Sequence, residues 1–286
     1  MRVLIAVSLA LLFITANAEG RAETLRRISE SGEFRIGYVP DAPPLSFVDK
    51  NGTVAGYSID LCRHIAWTVR DELGLETVDI VYTPLASMEE RLTAVENGDV
   101  DIECGATTVT LSRRERVDFT LMTFITGSAV LSRKASPIGT VDDINGTKIA
   151  VLGGTTTENV MRHVIEINEF DIDLQLISSH DEGMQLLNSG KVDGYASDRA
   201  MLIGQVFRDE NAKNQYAMTG GPLSFEPYAM MIPRGDTEFR LIADKALASL
   251  FRGPRIRRIY HNWFGRYGEP LSPIIEAVYQ FQAVGE

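Results

Sequence analysis

Apolar positions along this chain follow two alternating periods. Short β-branched runs, apolar at every second residue, take turns with segments whose apolar residues recur at three and four, the spacing of a helix lying on a sheet. Phe34 and Ile36 mark the first run, so Glu33 to Tyr38 reads as a strand. Asn51-Gly52 is a turn. Leu61, Ile65, Ala66 and Val69 share one helix face, and Ser58 is placed to cap that helix. Val78 to Tyr82 is the next strand. Ser87 with Glu90 forms a capping box, Leu92 and Val95 continue the helix, Asn97-Gly98 stops it, and Val100 to Cys104 is again strand.

A second series opens near Ser128, with Val130 and Leu131 extended. Lys148 to Leu152 is a strand, followed by the small polar run Gly153 to Thr157 and a helix through Val160 and Val164. Leu174 to Ile177 is a strand. Asp181 opens a helix bearing Met184 and Leu187, which Gly190 closes, and Val192 to Tyr195 is a further strand. Asp198 caps a helix reaching Phe207. In the tail, Tyr228 to Ile232 is a strand, and Asp236 or Thr237 caps a long helix through Leu250. Pro254 sits as a first-turn proline, and Ser272-Pro273 starts a last helix. Alternating strands and helices predict the α/β class.

Composition adds a compartment. Arg2, the apolar run Val3 to Thr15 and the small-residue site Ala16-Asn17-Ala18 read as a signal peptide over residues 1–18, cleaved after Ala18. No later stretch is long and apolar enough to span a bilayer. A net charge of -11 with no basic run excludes nucleic acid as the expected partner. In an exported chain the pair Cys62 and Cys104 suits a disulfide, and two buried free thiols suit the same residues.

The motifs of common enzymes are missing: no G-x-S-x-G elbow, no P-loop, no H-E-x-x-H. His64, His163, His180 and His261 lack metal-ligand spacing, so neither metal nor cofactor is expected. Gly153-Gly154 lacks the third glycine of a dinucleotide fingerprint.

Three ordered stretches carry a resemblance. Gly56-Tyr57-Ser58-Ile59-Asp60-Leu61 is the first. Asp101 to Thr108, with Arg113 and Val117-Asp118-Phe119 behind it, is the second, and Gly190 to Asp198 is the third. Together they resemble the polar amino-acid branch of bacterial periplasmic solute-binding proteins, family 3, across essentially the whole mature chain, with Ser58 pointing toward the glutamate/aspartate-binding subgroup. The resemblance implies a two-lobed periplasmic-binding-protein fold of type II, each lobe a mixed sheet flanked by helices, joined by a two-strand hinge. Lobe 1 would run over residues 19–127 and return over 225–286, and lobe 2 would occupy 128–224. Hinge strands would lie near Ile125 to Val130 and near Pro222 to Tyr228.

The resemblance also implies a ligand and roles. A periplasmic monomer would capture a free polar L-amino acid, with acidic, glutamate/aspartate-like ligands among the candidates, and deliver it to the membrane permease of an ABC transporter. Arg113 would grip the α-carboxylate as a planar fork; by residue type alone the favoured reading is an exposed arginine beside Arg114 and Arg116. Asp198 would hold the α-ammonium, or simply cap the helix after it, and a carboxylate has acceptor sites for both. The Ala106 carbonyl and the Thr108 hydroxyl would add acceptors. Thr155 and Thr156, at a helix N-terminus, would meet the α-carboxylate from the other lobe, or simply cap. For the ligand side chain, Arg91, Ser87 and His180 match basic and polar positions of the subgroup. Arg91 also reads as a helix-surface residue paired with Glu90 or Glu96. An arginine expected in the first strand-loop is Val39, which departs from the acidic-ligand pattern, and Phe47 is either wall or core. An enzyme on the same fold, similar to cyclohexadienyl dehydratases, is the alternative; Glu103, Glu158 and Glu226 are its candidate acids.

Overall fold

The computed structural model describes residues 23–208 and 214–285, so the signal-peptide expectation falls outside the described residues. Two five-stranded mixed sheets organise the rest. The first is built from β1 (Glu33–Tyr38), β5 (Asp79–Pro84), β6 (Ile102–Glu103), β7 (Val117–Phe119) and β15 (Met231–Pro233). Its order is β5-β1-β6-β15-β7. β1 pairs in parallel with β5 and β6, whereas β15 runs antiparallel to β6 and β7. The second sheet comprises β9 (Ser128–Arg133), β10 (Lys148–Leu152), β11 (Asp173–Ile177), β12 (Gly194–Asp198) and β13 (Tyr216–Met218). Its order is β11-β10-β12-β9-β13. A two-stranded antiparallel ribbon, β8 (Phe124–Thr126) with β14 (Glu226–Tyr228), joins the two units. A small sheet of β2 (Asp41–Ala42), β3 (Ser46–Val48) and β4 (Val54–Ala55) flanks the first.

Helices cover the sheets as the three-four spacing predicts. α1 (Glu23–Ser31), α2 (Tyr57–Glu72) and α3 (Met88–Glu96) belong to the first unit, with the one-turn α4 (Leu111–Arg114). The second unit carries α5 (Thr156–Asn168), α6 (His180–Asn188) and α7 (Arg199–Val206), and the tail returns as α8 (Thr237–Arg252), α9 (Arg255–Trp263) and α10 (Pro273–Gln282). Leu61, Ile65 and Val69 of α2 are fully buried with Phe34, Ile36, Phe239 and Leu247 in the first core. In β10 the pleat splits its side chains: Ile149 and Val151 pack with Met161 of α5, and Ala150 with Leu187 and Leu202 on the other face. Cys62 of α2 and Cys104, just past β6, form a disulfide with Cα atoms 6.3 Å apart.

Several local expectations need correction. Ser58 does not cap α2; Gly56 stands at the N-cap, and the buried Ser58 hydroxyl donates to the Gly105 carbonyl at 2.7 Å. The strand expected over 100–104 contracts to Ile102–Glu103, because the Asp101 carboxylate accepts from the Arg35 backbone N–H and ties that residue to β1 from the side. The run 228–232 is not one strand: β14 ends at Tyr228 in the ribbon, and β15 starts at Met231 in the first sheet. The capping box of Ser87 and Glu90 is present, and Ser272 caps α10 with Pro273 in its first turn.

Candidate functional site

A cavity of about 160 Å³ lies between the two sheets. That is below the ~300 Å³ at which drug-sized pockets begin, so its occupant is small. Arg113, Asp198, Thr108, Ala106, Thr155, Thr156, Arg91, Ser87 and His180 all line it. The strand crossing explains part of this convergence. The Thr107 carbonyl accepts from Ala229 N and the Pro227 carbonyl from Val109 N, so the return strand holds 107–109 at the cleft.

Arg113 is buried, not an exposed member of the basic turn; Arg114 is the exposed one. Thr110 caps α4 by accepting from the Arg113 backbone N–H, and the Arg113 Nη1 donates to the Thr108 carbonyl at 2.7 Å. Burial pushes the guanidinium down to about 10, with nearby Arg91 acting the same way, while Glu103, Glu226 and Asp198 oppose. Arg113 is therefore a cation at neutral pH. Across the cleft, Thr155 caps α5 by accepting from Glu158 N, and its own hydroxyl donates to the Leu152 carbonyl. Thr156 donates to Glu226 Oε2 at 2.8 Å, and its hydroxyl lies 3.4 Å from that of Thr108 in the facing unit.

Asp198 occupies the N-cap position of α7 without making a side-chain cap bond. Its carboxylate turns into the cleft instead. Oδ1 accepts from Thr157 Oγ1 at 2.9 Å and Ser128 Oγ at 3.2 Å, and Oδ2 accepts from the Tyr228 hydroxyl. Burial, then the Glu226 charge, pushes Asp198 up to about 6 despite these three donors. Glu226 is itself buried and accepts from Thr156 and Ser224. The sequence offered Glu226 only as a candidate acid of the alternative, with the return strand expected to begin two residues later, at Tyr228. Tyr228, Thr157 and Ser128 were missed as well; each is an ordinary strand or helix residue until the fold brings it to Asp198.

Arg91 is also buried, contrary to a surface pairing with Glu90 or Glu96. Its Nε donates to Glu103 Oε1 at 2.8 Å, an Nη2 hydrogen goes to Thr107 Oγ1, and Thr107 in turn donates to Glu103 Oε2 at 2.8 Å. Glu103 is fully buried. Gly105 makes this possible: a Cβ there would stand 2.2 Å from Glu103 Oε1 and 2.8 Å from Arg91 Nη2. Ser87 spends its hydroxyl on the α3 capping box. The His180 ring bonds through Nδ1 to the Tyr195 hydroxyl. Burial holds its imidazole below the usual range, aided by Arg91 and Arg208 and opposed by Asp41 and Asp181. Val39 is a buried apolar wall of the cavity, whereas Phe47 packs edge-on against Trp263 outside it. Of the alternative acids, Glu158 pairs with Arg162 and accepts from Gly154 N, and it does not line the cavity.

The model of the bacterial extracellular solute-binding proteins, family 3, matches residues 34–266. The chain belongs to that family. This solute-binding protein is 30% identical over 269 residues to the L-glutamate/L-aspartate-binding protein of Pseudomonas aeruginosa, covering 94% of this chain and 87% of that one. It is 28% identical to the ABC transporter glutamine-binding protein of Bacillus subtilis, covering 87% of each. Among solved structures, an ancestral arginine-binding protein bound to glutamine superposes with a TM-score of 0.72 at 29% identity, over 82% of this chain and 98% of that one. The fold is accordingly the two-lobed α/β architecture of amino-acid-binding proteins.

The lobes of this solute-binding protein also touch beside the cavity. Asp41 of β2 accepts from the backbone N–H groups of His180 and Asp181 at 2.8 and 3.4 Å, capping α6 of the opposite lobe. Gln205 Nε2 of α7 donates to the Asp41 carbonyl at 2.8 Å. Beside it, a Cβ on Gly204 would lie 1.9 Å from the Pro43 carbonyl oxygen, so α7 can approach that segment only through glycine. These contacts describe a closed cleft.

Proposed function

We propose that this solute-binding protein captures a free polar L-amino acid by lobe closure and delivers it to the permease of an ABC transporter. One observation carries the reading: a buried guanidinium, Arg113, and a buried carboxylate, Asp198, line a single small cavity from opposite lobes. A zwitterion needs both charges answered when it leaves water. Arg113 receives the α-carboxylate as a fork, with the first-turn N–H groups of α5 beyond Thr155 adding donors. Asp198, the Ala106 carbonyl and the Thr108 hydroxyl receive the α-ammonium. Arg91, Ser87 and His180 face the side chain. Residues 19–127 and 225–286 form lobe 1 and residues 128–224 lobe 2, so a ligand held by both draws the hinge closed. Export with cleavage after Ala18 places capture in the periplasm, and the exported chain works as a monomer.

Calorimetry of ligand-stripped mature protein against the free L-amino acids tests this. Stoichiometric binding of a polar amino acid is expected, and Arg113→Ala should weaken it at least about 100-fold, roughly 3 kcal/mol. Failure to bind any free amino acid, or unchanged affinity in the variant, would remove the reading.

A further inference from the structure

Resting on that amino-acid reading, we infer that the cavity takes a side chain ending in a carboxamide in preference to one ending in a carboxylate, and that a carboxylate enters only together with a proton on His180. The α-groups of any amino acid are alike, so selection falls to the cavity residues that the zwitterion does not engage. Arg91 is the cation available there, and it is already answered. Glu103, fully buried, holds its Nε at 2.8 Å, and Thr107 bridges the same carboxylate to a second guanidinium nitrogen. Gly105 is shaped to keep that pair in contact. Arg91 thus brings oriented N–H donors to the ligand with little net charge, which suits a neutral carbonyl oxygen.

Charge counting around Arg113 agrees. Asp198, Glu103 and Glu226 all act on Arg113 beside Arg91, so three carboxylates face two guanidinium groups before a ligand arrives. A zwitterion leaves that balance unchanged. A distal carboxylate adds a further anion inside a small cavity whose walls include Val39, Ala42, Ile177 and Met201, and a buried uncompensated charge is costly. His180 is the group able to answer it. Its ring is bonded to Tyr195 of β12; Asp41 of β2 and Asp181 of its own helix favour the imidazolium, while Arg91 of α3 and Arg208 past α7 disfavour it. Burial favours the neutral imidazole, and a carboxylate beside it would favour the cation.

The test compares glutamine with glutamate, and asparagine with aspartate, by calorimetry from pH 5.5 to 8 in two buffers of different ionisation enthalpy. At pH 8 the favoured amide should bind at least about ten-fold more tightly than its acid. That ratio should narrow as pH falls, with close to one more proton taken up for the acid than for the amide. In His180→Gln the ratio should lose its pH dependence. In Glu103→Gln, where Arg91 is no longer answered, preference should move about ten-fold toward the acid. An acid that binds as tightly as its amide at pH 8 without proton uptake overturns the inference while leaving amino-acid capture standing. So does tight binding of a different amino acid with neither pair recognised. Absence of any amino-acid binding overturns both.

Discussion

Asp198 and Glu226 put two carboxylates within each other's field in a buried cleft, and the consequence is a pH signature of the closed form. Asp198 stands at about 6 in the folded state, above its ordinary value of 3.8. The folded chain therefore binds this proton more firmly than the unfolded chain does. Its contribution favours folding at low pH and is lost as pH rises through about 6, by roughly 2 kcal/mol between pH 4 and 7. The Asp198→Asn substitution mimics the protonated group at every pH. Urea unfolding of wild type and this variant should show wild type losing stability relative to the variant across that window; parallel pH profiles would contradict the raised value. A bound ammonium replaces the missing proton, so amino-acid ligands should erase much of the difference. Sequence reading reached Arg113 and Asp198 because each sits in a dense local motif. It reached Glu103 and Glu226 only as candidate acids of the alternative, and missed Tyr228, because their roles as partners depend on which strands cross at the cleft, and no local pattern records that.

Element by element, capping proved readable where it is local and opaque where it crosses lobes. Ser87, Thr155 and Ser272 cap the helices that follow them. α6 has a local cap too, Ser179, yet its first N–H groups also reach Asp41 on the other lobe. That contact exists only when the cleft is shut. Asp41→Ala should weaken binding of neutral amino acids by about five-fold, near the ~1 kcal/mol of a lost cap, and by the same factor for each such ligand. A factor that differs among ligands would mean Asp41 touches the ligand itself. The disulfide between α2 and the end of β6 closes a loop with a sequence separation of 42. Loop-closure entropy for that length is about 4 kcal/mol, and measured losses usually run lower. Replacing both cysteines by alanine should cost about 2–4 kcal/mol in chemical unfolding while leaving ligand selectivity intact. The sequence placed Cys62 on its helix but Cys104 inside a strand that ends one residue earlier, and a helix face and a strand end become neighbours only through tertiary packing.

At the scale of the whole molecule, two sheets, each strongly mixed, meet at one narrow ribbon. The α/β alternation made the two series plain in the sequence, whereas the insertion of β15 between β6 and β7 could not be read from order along the chain, since the strand arrives from far downstream. Because the contacts of Asp41 with α6 and α7 bridge the lobes, X-ray scattering should show the ligand-free protein more extended than the liganded one; identical profiles would place the closed form at rest. The ribbon has a second attachment. Phe124 of β8 stacks on Phe264 at 4.8 Å and on Tyr260 of α9. Just before it, Gln282 at the end of α10 pairs its amide with both the N–H and the carbonyl of Met122, at 2.7 and 2.6 Å. The pivot is thus clamped by the last helix. Trimming the chain at Gln282 should slacken the swing of the lobes without touching the pocket, and a dye placed just past α10 would ride on the stator of the machine, the fixed frame against which a second dye on α6 could report each closure.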